Sequence, residues 1–237
     1  MKLEVFDDAD SVAEAAAKQI AADARAAIAA RGSFTLAVSG GKTPWIMLRA
    51  LAGEDIPWPG LHLFQVDERI APPGDPDRNL THLRESFLQH VSLRPDQVHA
   101  MPVEAADPQA AASQYARELE SIAGQPPVLD IVHLGLGPDG HTASLVPNDP
   151  VLNVTDKDVA LTGVYQGRRR MTLTYPVLNR AKRILWVVTG AEKQEMLRRL
   201  RNADPSIPAG RVKSDHALLL ADRAAAGELT VGHKQGG

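Results

Sequence analysis

Asp139 and His141 stand two residues apart in the stretch Gly135-Leu136-Gly137-Pro138-Asp139-Gly140-His141. An imidazole can take a proton from water near neutral pH and return it to a leaving group, and a nearby carboxylate can orient it or stabilise its charge. The pair therefore suits hydrolysis, with His141 as base and then acid. Residues 129–134 in front of it form a short apolar run with β-branched members, the pattern of a strand buried on both faces. Glycines after such a strand let side chains project from its carboxyl end, where open α/β sheets take their ligands. Asp139 also has a plainer reading, as the cap of a short helix that follows it.

Two further apolar runs end in polar chemistry. Residues 34–38 lead into Ser39-Gly40-Gly41-Lys42-Thr43-Pro44. Turn amides, two hydroxyls and a lysine at the start of a helix beginning near Pro44 make an anion site, because a helix N-terminus leaves N–H groups unpaired and carries positive potential. Phosphate is the natural guest. Residues 61–66 lead into Asp67-Glu68-Arg69. Asp67 is a second carboxylate able to orient His141, ahead of Asp139. Arg69 is a donor for a developing oxyanion, since preorganised donors supply much of the barrier reduction in acyl transfer. The plain alternative is that Asp67 and Arg69 form a structural ion pair. His133, inside its strand, reads as a satisfied core residue.

Two nucleotide motifs fail on their context. Gly135 to Gly140 matches G-x-G-x-x-G, with Asp156 at a distance suited to a ribose contact. Pro147 and Pro150, however, stop the full helix that a dinucleotide site needs. Gly41-Lys42-Thr43 matches the end of a P-loop, but the glycine required at position 36 is Leu36.

Composition sets the frame. The 237 residues suffice for one large domain, expected over 1–237. With 26 basic and 29 acidic residues the net charge is −3, which gives no electrostatic case for nucleic acid or an anionic membrane. The absence of cysteine excludes disulfides, thiolate metal sites and thiol chemistry, and fits a cytoplasmic protein. Asp7, Asp8 and Asp10 near the start do not suit a signal peptide, and no run approaches the ~18 apolar residues of a membrane helix.

These loops need a scaffold, and the chain alternates strand-like with helix-like segments. Strands are expected at 2–6, 34–38, 61–66, 98–101, 129–134, 159–164, 171–175, 184–188 and 216–220. Helices are expected at 11–30, capped by Asp10 or Ser11, then near 44, at 79–88, at 108–123 capped by Asp107, and at 191–201. Residues 71–76 and 204–210 read as loops. Strands separated by helices point to an α/β, three-layer sandwich with a mostly parallel central sheet.

The order of Ser39 to Pro44, Val66-Asp67-Glu68-Arg69, Gly135 to Leu145 and Arg170-Met171-Thr172-Leu173-Thr174 resembles the 6-phosphogluconolactonases over nearly the whole chain. That resemblance implies a Rossmann-like sugar-phosphate fold shared with glucosamine-6-phosphate deaminases and ribose-5-phosphate isomerases. Deaminases share the Ser-Gly-Gly loop, the Asp-Glu pair and the Asp-Gly-His turn. They typically carry Tyr where Arg69 stands, and Ile-Ala-Phe-Asn-Glu-Pro after the histidine, where this chain has Thr142-Ala143-Ser144-Leu145. The resemblance thus implies hydrolysis of 6-phospho-D-glucono-1,5-lactone to 6-phospho-D-gluconate in the pentose phosphate pathway. No cofactor and no metal are expected, and the partner is a small phosphorylated sugar lactone met by a monomer or weak homo-oligomer.

Phosphate is expected on Ser39, Gly40, Gly41, Lys42 and Thr43, on Arg170, and on Lys193, which follows Thr189-Gly190 as the superfamily's phosphate lysine does. The flanking Arg168 and Arg169 read as a solvated face. Val146 and Leu218-Leu219-Leu220 depart from the family, where Phe and an aromatic are common. The alternatives are a deaminase-like enzyme and a non-catalytic sugar-phosphate-binding module.

Overall fold

In the computed structural model, which describes residues 1–227 and Leu229, the apolar runs become the middle of a seven-stranded sheet. In chain order the strands are β1 (Lys2–Phe6), β2 (Phe34–Val38), β3 (Leu61–Gln65), β4 (Asp67–Arg69), β5 (Val98–His99), β6 (Ile131–Leu134), β7 (Val159–Leu161), β8 (Arg170–Leu173), β9 (Arg183–Val188) and β10 (Ala217–Asp222). The helices are α1 (Ala9–Arg31), α2 (Lys42–Ala52), α3 (Asn79–Ser86), α4 (Pro108–Ala123), α5 (Tyr175–Leu178), α6 (Gln194–Arg201) and α7 (Arg223–Ala226). The expected three-layer architecture holds. The end of the expected 1–237 domain, residue 228 and residues 230–237, lies outside the described residues.

The main sheet runs β1-β10-β9-β6-β2-β3-β5, and every pairing in it is parallel. Its central strands are apolar throughout because both faces are covered, and alternate residues enter opposite cores. On β9, Leu185 and Val187 pack with the α1–α2 layer, while Ile184, Trp186 and Val188 pack with α4 and α6. Helix α1 turns Val12, Ala16, Ile20 and Ala24 inward. Strand β1, at the edge, is the least buried.

The order in which strands are added reverses in the middle of this sheet. From β2 the chain builds outward through β3 to β5, then returns to lay β6 on the other side of β2 and continues through β9 to β10. The loops after β2 and β6 therefore diverge and open a crevice at the carboxyl ends of the strands, the usual ligand position in such sheets.

The expectation of one sheet misses a second, small antiparallel one, β4-β8-β7. It pairs Asp67 with Thr172, Glu68 with Met171 and Arg69 with Arg170. Several element ends also differ. Asp8 caps α1 by accepting from Ser11 N–H at 2.8 Å, which places Asp10 and Ser11 inside the first turn. Helix α2 begins at Lys42, so Pro44 falls in the first turn, where its missing amide costs nothing. Strand β7 stops at Leu161; at Thr162 the side-chain hydroxyl, in place of the backbone carbonyl, accepts from Arg170 N–H at 3.1 Å. Tyr175 leaves the strand to open α5, with Pro176 in its first turn. Residues 100 and 101 lie beyond β5, α3 stops at Ser86, and the expected 191–201 helix divides into a 3₁₀ turn, Ala191–Lys193, followed by α6. The closing strand extends to Asp222.

Candidate active site

A cleft of 560 Å³ opens over the crevice between the loops after β2 and β6. Ser39, Gly40, Gly41, Lys42, Thr43, Asp67, Arg69, His141, Arg170 and Lys193 all line it. Asp139 stands behind His141 instead of on the wall.

The loop after β6 folds on itself: Gly137 N–H donates to the His141 carbonyl at 2.8 Å and Gly140 N–H to the Gly137 carbonyl at 3.0 Å. This closure aims the imidazole back over Gly137. A Cβ on Gly137 would stand 2.0 Å from His141 Nδ1, so only glycine leaves room for the ring. His141 Nδ1 lies 2.6 Å from Asp139 Oδ1, which also accepts from His141 N–H at 3.1 Å. With its proton on Nδ1, facing the carboxylate, the neutral ring carries its lone pair on Nε2. No hydrogen bond occupies that nitrogen among the described residues. The hydrogen bond from His141 holds the Asp139 carboxyl well below the usual carboxylate range, with burial opposing it and further donors assisting.

Asp67, preferred from the sequence as the partner of His141, has its hydrogen bonds elsewhere in the structure. Its carboxylate accepts from Ser144 Oγ at 2.6 Å and from Asn79 Nδ2 at 3.4 Å, and no hydrogen bond reaches the imidazole. Nor do Asp67 and Arg69 form an ion pair among the described residues; the Arg69 guanidinium donates to Asn79 Oδ1. The neighbouring Glu68, fully buried, turns away from the cleft and accepts from the N–H groups of Asn79 at 2.7 Å and Leu80 at 2.8 Å. It supplies the N-terminal cap that α3 otherwise lacks.

Across the small sheet, Arg69 and Arg170 face each other in register. Like charges directly opposite on paired strands repel, so the arrangement is favourable only with an anion between or beside them. Arg170 is buried, no carboxylate pairs with it, and its Nε has no partner. Burial first, and Arg69 second, lower its proton affinity. Its neighbours in sequence behave differently: Arg168 pairs with Asp75 at 2.9 Å and Asp77 at 3.1 Å on the loop before α3.

The loop after β2 lines another part of the cleft: Gly41, at φ 130°, turns the chain into α2, and Lys42 and Thr43 at the start of that helix line the wall. Thr43 Oγ1 lies 2.6 Å from Thr189 Oγ1 and joins this loop to the one after β9. Lys193 follows there, beyond Gly190, whose N–H is fixed 3.1 Å from both Asp222 carboxylate oxygens. Neither Lys42 nor Lys193 forms an ion pair among the described residues. The Ser39 hydroxyl does not point its proton at a ligand: it donates to the His133 carbonyl at 3.0 Å, so Ser39 shapes the loop.

His133 is only half satisfied. Its Nδ1 accepts from Ser39 N–H at 3.3 Å, while its buried Nε2 has no partner. Burial pushes its pKa down to about 3, which keeps the ring neutral beneath the anion loop.

Sequence reasoning missed Asn79, Tyr165, Gln166 and Thr189. Asn79 bridges Asp67 and Arg69, and the Tyr165 hydroxyl donates to Asp139 Oδ2 at 2.9 Å. Each lies on a separate element from its partner, and nothing in the local pattern marks it. Among the described residues no group of three or more His, Cys, Asp or Glu side chains is placed to hold a metal ion, and no helix is long and apolar enough to cross a membrane.

Residues 7–220 match the family model described as glucosamine-6-phosphate isomerases/6-phosphogluconolactonase. The 6-phosphogluconolactonase of Synechocystis is 40% identical over 209 residues, covering 85% of this chain and 87% of that protein. The structure of 6-phosphogluconolactonase from Trypanosoma cruzi superposes with a TM-score of 0.86 at 25% identity, over 97% of each chain. A monomeric glucosamine-6-phosphate deaminase shares the fold as well, with a TM-score of 0.83 at 21% identity over 95% of this chain and 99% of its own. The fold is thus common to both chemistries.

Proposed function

Because the chain belongs to the family of glucosamine-6-phosphate isomerases and 6-phosphogluconolactonases, with the lactonases its well-matched relatives, its reaction is hydrolysis of 6-phospho-D-glucono-1,5-lactone to 6-phospho-D-gluconate, and we propose that His141 moves the protons. The observation that carries this role is the Nδ1 contact with Asp139, which leaves Nε2 free on the cleft side. Nε2 takes a proton from water as the oxygen attacks the lactone carbonyl. Charge then gathers on the carbonyl oxygen, where Arg69 is the donor at hand. When the tetrahedral centre collapses, the bond to the ring oxygen breaks and the imidazolium returns its proton to that oxygen. The products are a hydroxyl and a carboxylic acid, which loses its remaining proton to solvent and becomes the carboxylate, and the histidine is neutral again.

The substrate's phosphate goes to the amides of the Gly40–Thr43 turn, with Lys42, Lys193 and Arg170 supplying charge. In the same reading the enzyme acts in the cytoplasm, as a monomer or weak homo-oligomer and as one unit over 1–237. A net charge of −3 gives it no general attraction to nucleic acid.

Deamination is disfavoured by the segment after His141. Ring opening and proton exchange in glucosamine 6-phosphate call for a further carboxylate, and Ser144, Leu145 and Val146 offer none. The deciding experiment supplies freshly generated lactone and follows 6-phosphogluconate against the spontaneous rate, with His141→Ala alongside. Acceleration by the native chain, reduced by roughly two to four orders of magnitude in the variant, is expected. Full activity in the variant moves the base elsewhere, and ammonia release from glucosamine 6-phosphate at enzyme-like rates overturns the lactonase reading.

A further inference from the structure

We propose that Tyr165 is a positioning residue for this reaction: from the tip of the hairpin between β7 and β8 it holds the Asp139 carboxylate, and through it the His141 imidazole, so that Nε2 faces the cleft. The inference rests on the reading that His141 moves the protons.

The hairpin is built to deliver that hydroxyl. Tyr165 and Arg168 exchange backbone hydrogen bonds of 2.9 and 3.2 Å around Gln166 and Gly167, whose φ angles are 51° and 78°. Two successive left-handed residues in a two-residue loop form the turn whose twist matches the flanking strands. Glycine takes this conformation freely, whereas Gln166 is held there while its Oε1 accepts from the Arg170 guanidinium at 3.2 Å. Arg168, paired with Asp75 and Asp77, fastens the other side of the tip to the loop before α3. Val164, next to Tyr165, is 72% exposed, so the tip contributes little to either core.

With the tip fixed, Tyr165 touches both members of the catalytic pair and also Arg170. Its hydroxyl donates to Asp139 Oδ2 at 2.9 Å, on the oxygen opposite the one that receives His141. Its ring meets the imidazole edge to face at 5.5 Å between centroids. The Arg170 guanidinium lies 4.9 Å from the centre of the same ring. Burial, together with the adjacent Asp139 carboxylate, raises the proton affinity of the phenol, so Tyr165 stays a donor across the working range. Both Asp139 oxygens are then occupied, and the carboxylate cannot rotate without breaking one of these bonds.

The charged and titratable groups around His141 are Asp139 on its own loop and Tyr165 and Arg170 from the hairpin, with Asp67 and Arg69 from β4, Lys42 at the start of α2, Glu192 and Lys193 after β9 and Asp222 at the end of β10 lining the same cleft. Removing the phenol proton from Oδ2 frees the carboxylate to rotate, and the imidazole loses the orientation that this contact fixes.

The test compares the native full-length chain with Tyr165→Phe and Tyr165→Leu on fresh lactone, with thermal melting as a check on folding. For Tyr165→Phe we expect an unchanged melting temperature and KM, and kcat lower by roughly five- to tenfold. Tyr165→Leu, which also removes the ring from Arg170, adds a rise in KM. A Tyr165→Phe enzyme with native kcat overturns the proposal, and so does a loss of kcat accompanied by an equal rise in KM or a lowered melting temperature. An active His141→Ala enzyme instead removes the reading beneath it.

Discussion

Ser144 Oγ donates to Asp67 Oδ2 at 2.6 Å, joining residues 77 positions apart in the chain. The bond ties the start of β4 to the loop that carries His141, and it commits the Asp67 carboxylate to a partner other than the imidazole. Asp67 also lies near enough to the Arg170 guanidinium for its charge to raise that group's proton affinity. Asp139 is left as the carboxylate in contact with His141.

The two aspartates should therefore separate in steady-state kinetics. Asp139→Asn should lower kcat by about two to four orders of magnitude as the ring loses its preferred tautomer, with KM nearly native. Asp67→Asn should lower kcat/KM by roughly tenfold through loss of the charge beside Arg170. Equal losses of kcat for both variants would contradict the division of roles.

Gly137→Ala is expected to misplace the imidazole without unfolding the loop. The added Cβ would lie 2.0 Å from His141 Nδ1 and 2.3 Å from Cε1, whereas the backbone of Gly137 is not in the left-handed region. A displacement of this order costs about a hundredfold in kcat. Calorimetry with 6-phosphogluconate should find product binding close to native, and an enzyme with native kcat would show that the loop yields easily.

Lys193→Ala and Arg170→Ala should raise KM for the phosphorylated lactone and leave turnover of unphosphorylated gluconolactone nearly unchanged, because only the former loses a charge-assisted contact. The expected loss is roughly ten- to a hundredfold in kcat/KM for each. Steady-state kinetics on the two substrates decides it: equal losses on both would assign the cation to the carbonyl end or to the scaffold.

Burial of His133 makes a prediction about stability. Its pKa is about 3 in the folded state and near 6.5 when exposed, so between these values the unfolded chain binds the additional proton. Its contribution is complete above pH 6.5 and declines by ~1.4 kcal/mol per unit as the pH falls toward 3. Urea midpoints measured from pH 7 to 4 should fall less steeply for His133→Gln than for the native chain. Parallel curves would mean that His133 is protonated equally in both states.

Much of the scaffold was legible in the residues themselves. Runs such as 34–38 and 184–188, apolar at every position, can be stable only with both faces covered, and helices between them impose parallel pairing. The Asp139–His141 contact was equally accessible, because two residues apart in a glycine-rich turn is a local relationship. So was a helix starting close behind Gly41, where a glycine followed by a first-turn proline marks an N-terminus. Helix caps and strand ends were less legible: Asp8, Asp10 and Ser11 are all competent caps, and the packing of Val12 and Ala16 chooses among them.

Tertiary structure alone decided which distant groups meet. Strand β4 lies about 100 residues before β8 in the chain, and no local periodicity encodes the register that sets Arg69 opposite Arg170. The same packing gives Asp67 to Ser144 and Asn79, and brings Tyr165 across to Asp139. Periodicity records which face of an element is buried, a property each segment carries alone. Partners across the cleft depend on how whole elements stack, and that is settled by the summed packing of two cores.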